Sequence, residues 1–411
     1  MARRGAEFGF EVRELEVDWP RIRQRKDQVV SLMRGRLERG LDEHQQIDLI
    51  RGSARFLGPG LIDVDGRELG SAKTIIASGV VPVTPDIPGL IEAGFETNET
   101  VMDMNELPKS MVVIGGGPEG MEFSQLFHRL GVRVVVLQRR DRVLPREDEE
   151  ISIALESVLR KEGIDIRTGA VPIAVERAGP GSFTVVADIE GEQHRFECDR
   201  ILVTAGRRPH EIDDLDLESA DVVGDPETGI EIDANLRTSN PDIWAMGDVI
   251  GRMQYTHFAV YTAGVAVDNA LQSARRTYDT SRVPGAVFTD PEVASVGLTE
   301  AQAVATGRNV NVGRQLMRRV GRAIALGETE GFIKVVVDAD TDELLGMHVL
   351  SHFGADLLPQ GVATLHTADS SIGPLAEALY PHPTLSEALK TAVTSLKPAT
   401  SVPAASGDPG E

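Results

Sequence analysis

The chain has 411 residues, 41% of them hydrophobic and 26% charged, which is enough for two or three ordinary globular domains. Its net charge of −22 sets it against nucleic acid and anionic membranes, whose phosphates an acidic surface repels. No apolar run approaches the roughly 20 residues of a membrane span. The charged N-terminus lacks the apolar core of a signal peptide, and the one cysteine, Cys198, allows no intrachain disulfide, so a cytoplasmic protein is expected.

Residues 1–50 read as helix. Val29, Leu32, Met33, Leu37 and Leu41 form an apolar stripe at helical spacing, and Gly40 is a plausible stop. Short strands with glycine turns follow: Ile47–Gly52, Arg55–Leu57, Leu61–Leu69 with a hairpin at Asp65-Gly66, and Lys73–Gly79. The proline-rich link 82–89 closes this unit.

A new period begins at Met111. Met111-Val-Val-Ile-Gly-Gly-Gly-Pro-Glu-Gly-Met-Glu122 is a buried strand, a glycine turn and the start of a helix. Such a turn gathers backbone N–H groups and the positive end of a helix at one point, which suits a pyrophosphate. Gly115 permits the tight turn, Gly117 lets backbone approach phosphate, and Gly120 lets helix pack on strand. Helix 119–130, strand 133–137, a second helix from about 149 to 161 and strand 164–167 then make two βαβ crossovers, a nucleotide-binding half-fold. Val171–Asp199 alternates as a β-meander, and Ile201–Gly206 returns to the sheet. Cys198 lies in this alternation and reads as packing.

Gln138, Arg139 and Arg140 end the second strand, where a ribose is read. Arginine there offers a fork to a 2′-phosphate, so NADPH is expected over NADH, although Asp141 is a candidate counterion for them. Asp242–Asp248 is a strand ending in a carboxylate, either a ligand for a bound nucleotide or a helix cap. The last unit pairs strands around 332–337 and 343–350. It closes on Tyr380-Pro-His-Pro-Thr-Leu-Ser-Glu387, where His382 is either a loop histidine or an imidazole oriented by Glu387. Residues 398–411 read as a disordered tail.

The order of these signals resembles the FAD-dependent pyridine nucleotide–disulfide oxidoreductases, which include dihydrolipoamide dehydrogenase, glutathione reductase and mercuric reductase. Val143–Asp148, Val287–Glu300 and Met317–Ala323 are closest to the mercuric-reductase-like branch. The resemblance implies an α/β fold: nucleotide-binding, doubly wound (Rossmann-like) domains plus a C-terminal α+β dimerisation domain. The implied divisions are 1–108 for part of an FAD-binding domain, 109–208 for the NAD(P)-binding domain, 209–280 for a return segment of the FAD domain, and 281–397 for dimerisation.

It also implies site residues. Gly115, Gly117, Gly120, Glu122, Gln138, Arg139, Arg140 and Gly206 would serve NAD(P). Gly52, Ser78, Gly79, Asp248, Gln254 and His257 would serve FAD. His382 and Glu387 would be an acid–base pair reaching into the partner's active site. The expected cofactors are FAD and NADP (or NAD), with no metal. The expected partners are a second copy of the chain and a small redox substrate.

Two family features do not appear: a first strand with its own GxGxxG, and a pair of cysteines separated by four residues. A segment preceding Met1 is expected to carry them, and the chain as given is expected to hold FAD poorly. The C-terminal cysteine pair of mercuric reductase is also absent, which speaks against mercury as substrate. An FAD-dependent NAD(P)H oxidoreductase is therefore expected, with a transhydrogenase-like hydride exchange open to a form without the cysteines. The competing reading is a non-catalytic, nucleotide-binding remnant.

Overall fold

The computed structural model describes residues 2–399, apart from Glu211, Asp213 and Ser273. A long helix, α1 (Trp19–Asp42), is capped by the Asp18 carboxylate, which accepts from the Arg21 N–H. It runs straight through Gly40. Its apolar stripe does not pack: Val29, Leu32, Met33, Leu37 and Leu41 are all exposed, and Trp19 alone is buried, donating its indole N–H to the Met104 carbonyl at 2.8 Å. Periodicity finds a helical face but does not say what covers it.

Strands β1 (Ala54–Gly58), β2 (Leu61–Val64) and β3 (Arg67–Gly70) form an antiparallel meander. The hairpin at Asp65-Gly66 has both residues at positive φ, as a type I′ turn requires. The expected strand at Ile47–Gly52 is irregular chain instead. β4 (Thr74–Ile76) and β5 (Val80–Pro82) follow, then the short α2 (Leu90–Ala93).

The central sheet is wholly parallel, in the order β12-β6-β7-β8. Its strands are β6 (Ser110–Ile114), β7 (Arg133–Gln138), β8 (Asp165–Thr168) and β12 (Arg200–Val203), joined through α3 (Pro118–Arg129) and α4 (Glu149–Glu162). Every residue of β6 is buried, and β7 is buried from Val134 to Gln138, as strands covered on both faces must be. Packed on this sheet is the meander β9 (Ala170–Gly179), β10 (Ser182–Ile189) and β11 (Glu192–Cys198). Cys198 is buried there, and burial pushes its thiol up to about 11.

The chain then leaves this unit. β13 (Arg207–Pro209) pairs with β5, β14 (Gly224–Asp225) with β15 (Gly229–Ile230), and β16 (Ile243–Ala245) runs parallel to β4. Gly247–Ile250 turns into α5 (Thr256–Gln272). The last unit is one sheet in the order β17-β18-β21-β20-β19-β22. Its strands are β17 (Gly285–Val287), β18 (Glu292–Gly297), β19 (Val310–Leu316), β20 (Phe332–Asp338), β21 (Leu344–Ser351) and β22 (Lys397–Pro398). Helices α6 (Glu300–Ala305), α7 (Gly321–Leu326), α8 (Gly354–Leu357), α9 (Pro359–Leu365), α10 (Gly373–Glu377) and α11 (Glu387–Thr394) flank it. From residue 400 onward the expected tail lies outside the described residues, while Pro398 belongs to β22.

Candidate functional site

The glycine turn stands at the carboxyl end of β6, between strands on either side, where open α/β sheets bind their ligands. Gly115 has φ +119°, and a Cβ there would lie 2.3 Å from the Thr204 carbonyl oxygen. A Cβ on Gly120 would lie 2.1 Å from the Gly115 oxygen, so helix and strand can touch only because Gly120 lacks a side chain. Gly117, which precedes α3, faces open space. A dinucleotide's pyrophosphate therefore fits here: two glycines build the turn and the third leaves the approach clear.

Gln138 ends β7 with its amide buried. Its Oε1 accepts from the Gly116 N–H at 3.3 Å and its Nε2 donates to the Arg142 carbonyl at 2.9 Å, so it ties the turn to the following loop. Arg139 and Arg140 are exposed on that loop, and among the described residues neither has an ion-pair partner. Asp141 faces Arg142 instead, at 4.0 Å.

Beside the turn lies a half-buried mouth that the sequence reading found only in part. Arg207, next to Gly206, donates to the Gln254 carbonyl at 2.9 Å, and the Gln254 amide returns a bond to the Arg207 carbonyl at 3.2 Å. Arg207 also stands 3.5 Å from the Glu119 carboxylate. Burial pushes the carboxyls of Glu119, Glu122 and Asp248 above their ordinary values, with Arg207 opposing the shift at Glu119 and Asp248. Glu122 additionally accepts from the Phe288 N–H at 2.7 Å. Two desolvated carboxyls, Glu119 and Asp248, thus face one guanidinium, with Glu122 desolvated beside Glu119; groups shifted in this way cluster at functional sites. Glu119 and Arg207 were missed although each adjoins a motif glycine, because only folding brings them together.

The expected flavin residues separate into two groups. Asp248, Gln254 and His257 line the mouth and the start of α5, where His257 stacks on Tyr255 with centroids 5.2 Å apart and meets the Pro284 carbonyl at 2.7 Å. This polar edge fits the ring end of a flavin nucleotide. Ser78 and Gly79 are instead engaged by His210: the Ser78 hydroxyl donates to its carbonyl at 3.1 Å, and its N–H donates to the Gly79 carbonyl at 2.9 Å. Gly52 packs on the hairpin, since a Cβ there would lie 2.4 Å from the Asp65 carboxylate. Gly206 has φ +123° and open space before it. Among the described residues there is one strand–glycine turn–helix of this kind, and it is the flavin end of FAD that the residues around Gln254 and His257 fit.

His382 and Glu387 meet as expected. The imidazole Nδ1 is 2.9 Å from the Glu387 Oε1, with the His382 side chain 78% exposed. The Thr384 N–H and His382 hold the Glu387 carboxyl below its ordinary value. A further group, Asp290, Glu328 and His352, brings one donor atom each within 4.8 Å. Arg129 pairs with Asp290 at 2.7 Å and Arg4 with Glu328 at 2.6 Å, so both carboxylates already have cations.

Known proteins match this arrangement along nearly its whole length. The family description "pyridine nucleotide-disulphide oxidoreductase" matches residues 7–263, and the dimerisation domain of the same family matches residues 283–393. A mercuric reductase of Staphylococcus aureus is 35% identical over 91% of this chain and 68% of its own length. A dihydrolipoyl dehydrogenase of Bacillus subtilis (strain 168) is 35% identical over 94% of this chain and 84% of its own. Among solved structures, the HOCl-induced flavoprotein disulfide reductase RclA from Escherichia coli superposes with a TM-score of 0.85 at 29% identity, covering 92% of this chain and 86% of that one. The matching dimerisation domain supports a homodimer. No helix among the described residues is long and apolar enough to cross a membrane.

Proposed function

This chain belongs to the pyridine nucleotide–disulphide oxidoreductases and is an FAD-dependent oxidoreductase of that type; from that premise we propose that its electron donor is NADPH, that its acceptor is a disulfide or a related small redox molecule, and that it works in the cytoplasm. Both parts of the family plan match, so this reading holds over a non-catalytic remnant. The observation that carries NADPH is the pair Arg139 and Arg140, exposed at the carboxyl end of β7 with no carboxylate partner among the described residues. A 2′-phosphate is the dianion such a pair accepts.

When bound, the flavin supplies the two-electron chemistry between nicotinamide and acceptor. The chain's own residues supply the rest. Gly115, Gly117 and Gly120 seat the pyrophosphate, and Gln138 holds the turn against the loop that carries the arginines. Arg207 pairs with Glu119 in the mouth and opposes the burial shift of Asp248, while Glu122 fixes the Phe288 segment beside it. His382, oriented by Glu387, holds or moves a proton at its outward nitrogen. Its exposure on a loop of the dimerisation unit suits a role at the partner subunit's site rather than its own.

The test is anaerobic reduction of the enzyme-bound flavin by NADPH and by NADH. Replacing Arg139 and Arg140 with Ala is expected to raise the KM for NADPH by about tenfold or more while leaving that for NADH nearly unchanged. Equal effects on both nucleotides would sink the 2′-phosphate reading.

A further inference from the structure

A buried lysine sits in the middle of the dimerisation sheet. Lys334 of β20 is 1% exposed, and its ammonium meets Asp148 at 2.7 Å, Glu300 at 2.8 Å and Glu150 at 2.9 Å. Its cross-strand neighbours are Arg314 of β19 and His348 of β21. Arg314 bonds Glu150 and also reaches Glu300, at 2.9 Å. His348 places its Nε2 2.9 Å from the Leu298 carbonyl. Three carboxylates thus share two permanent cations, and the group straddles two units: Asp148 and Glu150 start α4 of the nucleotide fold, while the others belong to the dimerisation unit.

Such a cluster is poor evidence for stability in itself, since desolvating charges offsets much of what pairing returns. What it does fix is direction. Asp148 caps α4 by accepting from the Glu150 N–H, and its second oxygen accepts from the Glu300 N–H at 3.2 Å. The first turn of α4 is therefore held from outside its own fold.

From that turn a short relay runs to the glycines. The Ser152 hydroxyl, fully buried, donates to the Leu144 carbonyl at 2.9 Å. Leu144, held in the left-handed region at φ +44°, donates its N–H to the Gly116 carbonyl at 2.9 Å. The loop bearing Arg139 and Arg140 is strung between these anchors and Gln138.

We infer that Lys334 is a positioning residue for the pyridine nucleotide: it sets the start of α4, and through Ser152 and Leu144 it sets the loop and the turn that receive the adenosine half. This rests on the reading that the nucleotide docks at Gly115–Gly120. A residue of the dimerisation unit, remote in sequence from every nucleotide motif, thereby tunes nucleotide affinity.

The test is calorimetric titration of the full-length, flavin-loaded dimer with ADP-ribose and with its 2′-phosphate, in wild type, Lys334→Met and Ser152→Ala. Lys334→Met is expected to weaken both fragments by about tenfold, and Ser152→Ala by about threefold with a Tm close to wild type. In turnover, KM for the nucleotide rises and kcat stays put in both variants, which a general loss of stability would not produce. Should Lys334→Met fail to fold, Ser152→Ala decides, because it leaves the ion cluster whole. Wild-type affinity for both fragments in the folded variants overturns the proposal. Equal affinity of the wild type for the two fragments counts instead against the arginine reading and leaves Lys334 in its role. No binding of either fragment to wild type overturns both.

Discussion

Arg207 and Gln254 hold each other through two reciprocal bonds, each side chain donating to the other's backbone carbonyl at 2.9 and 3.2 Å. They lie 47 residues apart and come from opposite sides of the mouth, one beside Gly206 and one ahead of α5. Arg207→Leu is expected to release Glu119 and loosen this edge. The measurement is the ratio of flavin absorbance to protein after purification and dilution. A ratio that falls at least severalfold below wild type, with the chain still folded, is the expected outcome; full retention of flavin would remove Arg207 from the site.

The glycine turn allows a two-way comparison. Gly120→Ala drives a methyl into the Gly115 carbonyl, and overpacking of this sort costs about 1–3 kcal/mol. Gly117→Ala meets nothing within 4 Å and its φ of −77° suits any residue. The first variant is expected to lose both Tm and nucleotide affinity, the second affinity alone. A Gly117→Ala protein binding NADPH like wild type would show that the phosphate does not come close there.

His382 is exposed, so His382→Ala is expected to leave Tm nearly unchanged while lowering kcat by about 10²–10⁴. The Glu387 carboxyl lies below its ordinary value, so the pair persists through neutral pH. It is lost as pH falls below the usual carboxylate range toward that lowered value. Glu387→Gln should lower kcat above pH 5 and make little difference at the acid end of the profile.

Cys198 is buried and its thiol is pushed up to about 11. A thiol-specific chromogenic reagent at pH 8 is expected to find it unreactive in the folded protein and stoichiometric in denaturant. Fast labelling of the native chain would contradict the packing role.

The Lys334 cluster has a defined pH window. Burial pushes Asp148 and Glu150 up, but their cations prevail, and Glu150 ends at about 2. Lys334 likewise ends above its ordinary value although burial opposes it. Depressed carboxyls contribute stability above their unfolded values and lose it as pH falls through the folded ones. A raised lysine contributes below its unfolded value and loses its share as pH rises through the folded one. The difference in urea midpoint between wild type and Glu150→Gln should be flat from about pH 5 to 9 and shrink toward pH 2. An undiminished difference at pH 2.5 would contradict the ion-pair account.

The run β6–α3–β7–α4–β8 and its glycine turn were legible from local pattern, because they follow one another in the chain; local pattern left His382 open between a loop histidine and an oriented imidazole, and only the order of the motifs favoured the pair with Glu387. The mouth was legible only in part. Glu119 and Arg207 stand 88 positions apart and carry no spacing signal, so nothing short of the fold joins them. The α1 stripe shows the opposite failure: a correct period with no partner to bury it. Gly40 does not stop α1 because the helix reaches Asp42 before Glu43 caps it, donating its N–H back to the Arg39 carbonyl.

The ion cluster at Lys334 also bears on how the molecule comes apart. Melting the nucleotide fold alone would leave the buried Lys334 and its neighbour Arg314 to share the one carboxylate of Glu300; melting the sheet alone would take both cations from Asp148 and Glu150 at the start of α4. Neither unit has an inexpensive way to open by itself. Denaturation of the two should therefore register as one cooperative transition in tryptophan fluorescence and in circular dichroism, with coincident midpoints, where a chain of loosely tethered units would show a staircase.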